Sequence, residues 1–266
     1  MLSPQALPIH DSSGFYPLVR FGESFALPSY FVVVSLSLCL CVIWLIRRIE
    51  HTYIRQSSRI VKYKRNLAID TAMVLMIAGF IGARLFHIVF EEPSYYMQAP
   101  WRIIEIWKGG FVWYGGALLG GLAASIFLRF KHEPIAPWLD LFAPICALGY
   151  ALGRVACWLT GCCFGTICEL PSGFRFRHPT QLYAIAWELF ALAVLLSLEK
   201  KKPELRRRHP GRIFAFWILL HCMGRIFMEA FRADPRGPEP LGISISTWLS
   251  LTILAITLAT FKTRRI

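Results

Sequence analysis

Acidic residues are scarce in this chain. Only 16 Asp and Glu stand against 29 Lys and Arg in 266 residues, and charged residues of all kinds make up 17%. Soluble domains carry about 25% charged and roughly 45–50% apolar residues, whereas this chain is 56% hydrophobic with a mean hydropathy of +0.50. A water-soluble enzyme is therefore close to excluded. The net charge is +13, but the basic residues lie between apolar runs and form no stripe, which argues against nucleic acid as a partner. Gly (19) and Pro (16) are near average usage, so a disordered or collagen-like chain does not fit. Repeats and low-complexity tracts are absent, which points to a single polytopic domain over 1–266. The apolar runs lack the polar alternation of barrel strands. No basic segment precedes the first run and no small-residue cleavage site follows it, so that run is expected to stay as a helix.

What the chain has is long apolar runs. Crossing a hydrocarbon core of about 30 Å takes about 20 helical residues, and seven runs qualify: 27–46, 69–90, 111–130, 139–159, 181–198, 213–231 and 246–261. The fold class expected is an all-α integral membrane protein with seven transmembrane helices. Lys and Arg number 19 in one set of alternate loops and 7 in the other, with Arg84, Arg154 and Arg225 inside spans. The basic side faces the cytoplasm, so the N-terminus is expected outside and the C-terminus in the cytoplasm. The runs Arg47-Arg48, Lys200 to Lys202 and Arg206 to Arg208 either attract anionic membrane lipids or serve as topology signal only.

A charged side chain at the bilayer centre costs at least about 2.5 to 3.5 kcal/mol, so each one needs a reason. Arg84 sits in Gly82-Ala-Arg-Leu-Phe86, Arg154 follows Gly153, and Arg225 and Glu229 are i and i+4 with Arg232 three residues on. The expected orientation puts Arg84, Arg154, Arg225 and Arg232 at one outer level with Glu229 able to neutralise one of them. An anionic headgroup is the better account of that surplus, because Arg binds phosphate oxygens bidentately. The competing account is a structural Arg225–Glu229 pair with the other arginines snorkelling to the interface.

The third run opens with six glycines in residues 109–121. Gly116 and Gly120 have the spacing of a close helix contact. The run also lets lipid approach the backbone at Gly115 and Gly116 and leaves the Tyr114 hydroxyl free to donate or accept. Trp113 and Tyr114 otherwise read as an interfacial aromatic belt. Cys39, Cys41, Cys146 and Cys222 are scattered in spans, as small hydrophobes are. Cys157, Cys162, Cys163 and Cys168 cluster, but without a C-x₂-C pair, so no metal is expected. A disulfide from Cys162 or Cys163 to Cys168 is favoured, and Cys162 or Cys163 is alternatively a nucleophile. In Arg177-His-Pro-Thr-Gln-Leu-Tyr183, His178 is a candidate acid or base, or else part of a capping segment with Thr180 as the cap. His87 and His221 are expected to be packed or hydrogen-bonded.

The seven runs combine with Gly82-Ala-Arg84, Trp107-Lys-Gly-Gly110, Tyr114-Gly-Gly116, Leu139-Asp-Leu-Phe-Ala-Pro144, Gly153-Arg154, Arg177 to Tyr183 and Arg225 to Arg232. In this order they resemble the prolipoprotein diacylglyceryl transferases of bacterial plasma membranes. Ile9-His10 and Ser29-Tyr30 fall where that family has similar residues. The resemblance implies transfer of a diacylglyceryl group from phosphatidylglycerol to the lipobox cysteine thiol at a prolipoprotein signal peptide, releasing glycerol phosphate. It implies an inner-membrane enzyme whose site faces the outer leaflet and which needs no cofactor. Arg154 and Arg225 would hold the phosphate and stabilise leaving-group charge, Glu229 would hold Arg225, and Tyr30, Arg84, Arg232, Gly115 and Gly116 would line the lipid site.

Two departures stand out. Tyr114 replaces the His of the family's His-Gly-Gly, and Cys157 and Cys162 replace an Asn and a Glu beside Arg154. The base role then falls to Tyr114 or His178. The alternatives carried forward are a headgroup transferase with another acceptor, relayed through Cys162 or Cys163, and a non-catalytic phospholipid-binding protein.

Overall fold

The computed structural model describes residues 18–21, 25–106, 109–169, 175–232 and 240–263. Ile9-His10 and Trp107-Lys108 lie outside the described residues. Strands β1 (Leu18–Phe21) and β2 (Phe25–Pro28) form an antiparallel hairpin leading into α1 (Ser29–Tyr53). Next come α2 (Ser58–Phe86), which runs on through a turn of π-helix, the short α3 (Pro93–Gln98), α4 (Trp113–Phe130) and α5 (Ile135–Leu159). A second hairpin, β3 (Ile167–Glu169) with β4 (Arg175–Arg177), precedes α6 (Thr180–Lys201). The short α7 (Glu204–Arg208), α8 (Arg212–Glu229) and α9 (Ile245–Thr263) complete the chain.

Helices α1, α2, α4, α5 and α6 are each long and apolar enough to cross a membrane. Helices α8 and α9, of 18 and 19 residues, fall on the sixth and seventh expected runs. The chain is overwhelmingly helical, as an all-α membrane protein should be, with two short hairpins that the sequence reading did not anticipate. The first apolar run was also placed to start at Leu27, which instead pairs with Val19 in β2. Pro28 closes that strand, because its ring removes a backbone donor at the point where the helix begins.

Helix α5 is the centre, packed against α1, α6 and α8, while α2 pairs with α4 and α9 lies on α8. The outward faces are apolar, with Leu36, Ile77 and Phe130 strongly exposed, as helices bathed in lipid require. Glycine sets the α2–α4 distance. A Cβ on Gly116 would stand 3.0 Å from Gly79 O and one on Gly120 2.8 Å from Leu75 O, so only glycine lets the backbones approach this closely. At the end of the bundle nearest the basic loops, Arg48 forks onto Glu199 at 3.0 and 2.6 Å and Lys64 meets Glu133 at 2.5 Å.

Asp140, fully buried on α5, explains the Leu139-Asp-Leu segment. Its carboxylate accepts from Gly211 N at 2.7 Å and Phe214 N at 3.0 Å. It thereby satisfies donors that the first turn of α8 leaves unpaired. Asp140→Ala leaves those N–H groups unsatisfied in a buried setting, and unfolding in detergent should show a loss of about 2–3 kcal/mol. Unchanged stability would mean that α8 is held by packing alone.

Candidate active site

Tyr150, Arg154 and Cys157 recur at i, i+4 and i+7 on α5 and so share one face. Arg154 Nη2 donates to the Tyr150 hydroxyl at 2.6 Å, with its guanidinium 4.8 Å from the ring centre. Helix α8 brings Arg225, whose Nη1 reaches the same hydroxyl at 3.5 Å. Arg232, just past α8, bridges by its backbone to Gly165 and stands within electrostatic reach of Arg225 and Cys163. Glu229 Oε2 lies 3.9 Å from Arg225 Nη2 and accepts from Ser246 Oγ at 3.5 Å. Among the described residues no carboxylate lies within 4.0 Å of Arg154. Two guanidiniums thus meet on one tyrosine oxygen, with Arg232 near Arg225 and Glu229 at the margin, an arrangement whose excess charge an anion relieves.

The end of α5 turns back on itself through Gly161 (φ +67°) and Cys163 (φ +61°). A non-glycine residue in the left-handed region costs energy and is held only by its surroundings. Here the start of α6 holds it. Thr180 Oγ1 donates to Cys163 O at 2.6 Å and Gln181 Nε2 to Cys162 O at 2.5 Å. The turn brings the sulfurs of Cys157, Cys162 and Cys163 within 4.8 Å of one another. The neighbouring Cys157 and Cys162 side chains, with Arg154 and Arg232 nearby, push the Cys163 thiol well below its ordinary range against the opposing effect of burial. Tyr30 from α1 lies within electrostatic reach of the three cysteines and Arg154.

Several expected site residues have partners away from Arg154 and Arg225. Arg84 directs its guanidinium at the carbonyls of Arg102, Ile103, Glu105, Gly109 and Gly110, closing the loop before α4. Its charge is solvated by backbone dipoles, not aimed at Arg154. Gly115 and Gly116 pack on α2 against Gly82 and Gly79, so no lipid approaches them there. The Tyr114 hydroxyl is not free. It donates to Ser246 O at 3.1 Å and shares a 2.9 Å hydrogen bond with Ser250 Oγ, tying α4 to α9. The His178 ring packs on Phe176, Tyr183 and Phe231, with Nδ1 3.2 Å from the Tyr183 hydroxyl. Thr180 is the first helical residue and caps nothing with its hydroxyl. The disulfide to Cys168 is also corrected. All eight cysteines are free, and Cys168 sits in β3 while the other three form the cluster.

The sequence profile of the family described as prolipoprotein diacylglyceryl transferase matches residues 18–263. The chain belongs to that family. Relatives named phosphatidylglycerol–prolipoprotein diacylglyceryl transferase include one from Nitrosomonas europaea, 35% identical over 205 residues, covering 72% of this chain and 71% of that protein. One from Nostoc sp. is 33% identical over 212 residues and 73% of each chain. Another, from Clostridium tetani, is 30% identical over 214 residues, 76% of this chain and 83% of the relative.

On this member of the diacylglyceryl transferase family, sequence reasoning overlooked Tyr150, although its place four residues before Arg154 puts the two on one helix face. Glu188 on α6 was also overlooked. Buried at 2% exposure, it holds His221 Nδ1 at 2.5 Å and accepts from Trp217 Nε1 at 3.3 Å. The packed, hydrogen-bonded state expected of His221 is thus present. Its ring stands 4.6 Å from that of Tyr150, edge to face, so the Glu188–His221 pair fixes Tyr150 between the arginines. Tyr150→Phe removes the oxygen that receives both guanidiniums. Phosphatidylglycerol binding should weaken about tenfold, as expected for about 1.5 kcal/mol of charged hydrogen bonding. An unchanged Kd would show that the arginines hold their positions without it.

Proposed function

We propose that this protein is a seven-span transferase of the bacterial plasma membrane. It moves the diacylglyceryl group of phosphatidylglycerol to the lipobox cysteine thiol of a prolipoprotein signal peptide, at a site opening toward the outer leaflet. The observation that carries the reading is the meeting of Arg154 and Arg225 on the Tyr150 hydroxyl, with no carboxylate among the described residues within 4.0 Å of Arg154. A phosphodiester placed there accepts the donors left over from both arginines. As the bond from glyceryl carbon to phosphate oxygen breaks, the growing charge on glycerol phosphate is stabilised by the same groups, an electrostatic contribution of several kcal/mol when it is pre-organised. Arg232 and Glu229 belong to this anion site at its edge, and Tyr30 covers it from α1. In this reading Tyr114 ties α4 to α9 through its hydroxyl, and His178 holds the loop by its packing and its Nδ1 contact with Tyr183.

Release of glycerol phosphate from phosphatidylglycerol, with and without a synthetic lipobox peptide, tests the assignment directly. Release that depends on the peptide is the expected outcome, and phospholipid binding without release under either condition overturns it. Arg154→Ala should abolish release in a well-folded variant, and normal turnover there would refute the phosphate site. Tyr114→Phe should lower thermal stability by about 1 kcal/mol through the lost tie to α9 while turnover per folded molecule persists. Loss of turnover with phospholipid binding intact would return Tyr114 to the base role.

A further inference from the structure

The anion site explains how the leaving group is received but supplies nothing that activates the acceptor thiol. The three cysteines beside Arg154 have no part in it either. We propose that Cys157, Cys162 and Cys163 bind one zinc ion through their three sulfurs and leave its fourth position for the acceptor thiol. The proposal rests on the transferase reading for the identity of that acceptor.

The spacing of these cysteines matched no zinc pattern in the sequence, but the fold supplies what the spacing lacks. Cys157 projects from α5, the reversed turn returns Cys162 and Cys163 to it, and the sulfurs lie within 4.8 Å of one another. Zinc–sulfur bonds of about 2.3 Å in a tetrahedron set sulfurs about 3.8 Å apart, so closing on the ion takes a shift of about 1 Å or less. The ligands are held in advance, because Thr180 and Gln181 pin the carbonyls of Cys163 and Cys162. Three thiolates and a divalent ion carry one net negative charge, which Arg154 and Arg232 stand close enough to balance. Thiolate ligands select soft or borderline metals. Among the described residues no fourth His, Cys, Asp or Glu joins the group, and three protein ligands with one open position is the pattern of catalytic rather than structural zinc.

The chemistry then follows. The acceptor S–H bond breaks as its sulfur takes the open position, and the proton leaves to water. The sulfur next forms a bond to the glyceryl carbon while the bond from that carbon to phosphate oxygen breaks. The electron pair goes to that oxygen on glycerol phosphate, beside Arg154.

The full-length protein, purified in detergent under reducing conditions without chelator, should hold about one zinc per chain. The Cys157→Ser, Cys162→Ser and Cys163→Ser variants should each lose most of it. Loaded with cobalt(II), the protein should show the sulfur-to-cobalt charge-transfer bands of a thiolate site. A lipobox peptide should change those bands, and the same peptide with Ser for Cys should not. Absence of bound zinc and cobalt, a disulfide among the three cysteines in the intact mass, or a cobalt spectrum indifferent to the peptide thiol overturns the proposal. Glycerol phosphate release separates the two readings. Equal release by zinc-free and zinc-loaded protein overturns the metal site and leaves the transferase standing. A cobalt spectrum that answers the peptide thiol in a protein that releases nothing supports the metal site and overturns the transferase.

Discussion

The Tyr150 hydroxyl is the point on which the site depends. Two guanidiniums in a bundle of low dielectric repel one another unless something between them accepts their hydrogen bonds, and here the Tyr150 oxygen does so. A carboxylate there would hold the arginines more tightly but cancel the charge that attracts a phosphodiester. A hydroxyl orders the two cations and leaves them cationic. The arrangement spreads outward from that oxygen. His221 and Trp113 pack on the Tyr150 ring, Glu188 fixes His221, and Trp217 completes the Glu188 carboxylate.

The same rule, that polar groups away from water need named partners, sorts the other ionisable residues into structural roles. Arg84 is taken up by backbone carbonyls, Asp140 caps α8, and Glu188 serves His221 and Trp217. Each is buried and each is engaged. Arg154 differs because it has hydrogen-bonding capacity left and, among the described residues, no carboxylate within 4.0 Å, which is why the proposed anion site is placed there.

Much of the fold could be read from the chain. Runs of about 20 apolar residues imply spanning helices, and the five helices long and apolar enough to cross a membrane each overlap one of the runs. The hairpins escaped notice because strands of three or four residues carry too little pattern to separate from loop. In the site, Arg225 and Glu229 could be paired from their i, i+4 spacing, and Tyr150 with Arg154 by the same rule. The role of Thr180 and Gln181 had no local signal. Their partners are the carbonyls of Cys163 and Cys162, 17 and 19 residues away, and a backbone oxygen leaves no mark in the sequence.

Sequence by itself determined that this chain lives in a membrane, that it belongs among diacylglyceryl transferases, and that arginines inside its apolar runs need partners. These follow from composition and short motifs, which act through local physics. Only the tertiary structure decided which arginines meet, that the glycines of α4 face α2 and not lipid, and that three cysteines without metal spacing converge. Those outcomes depend on how helices α1, α5, α6 and α8 pack, and packing brings together residues that the chain keeps far apart.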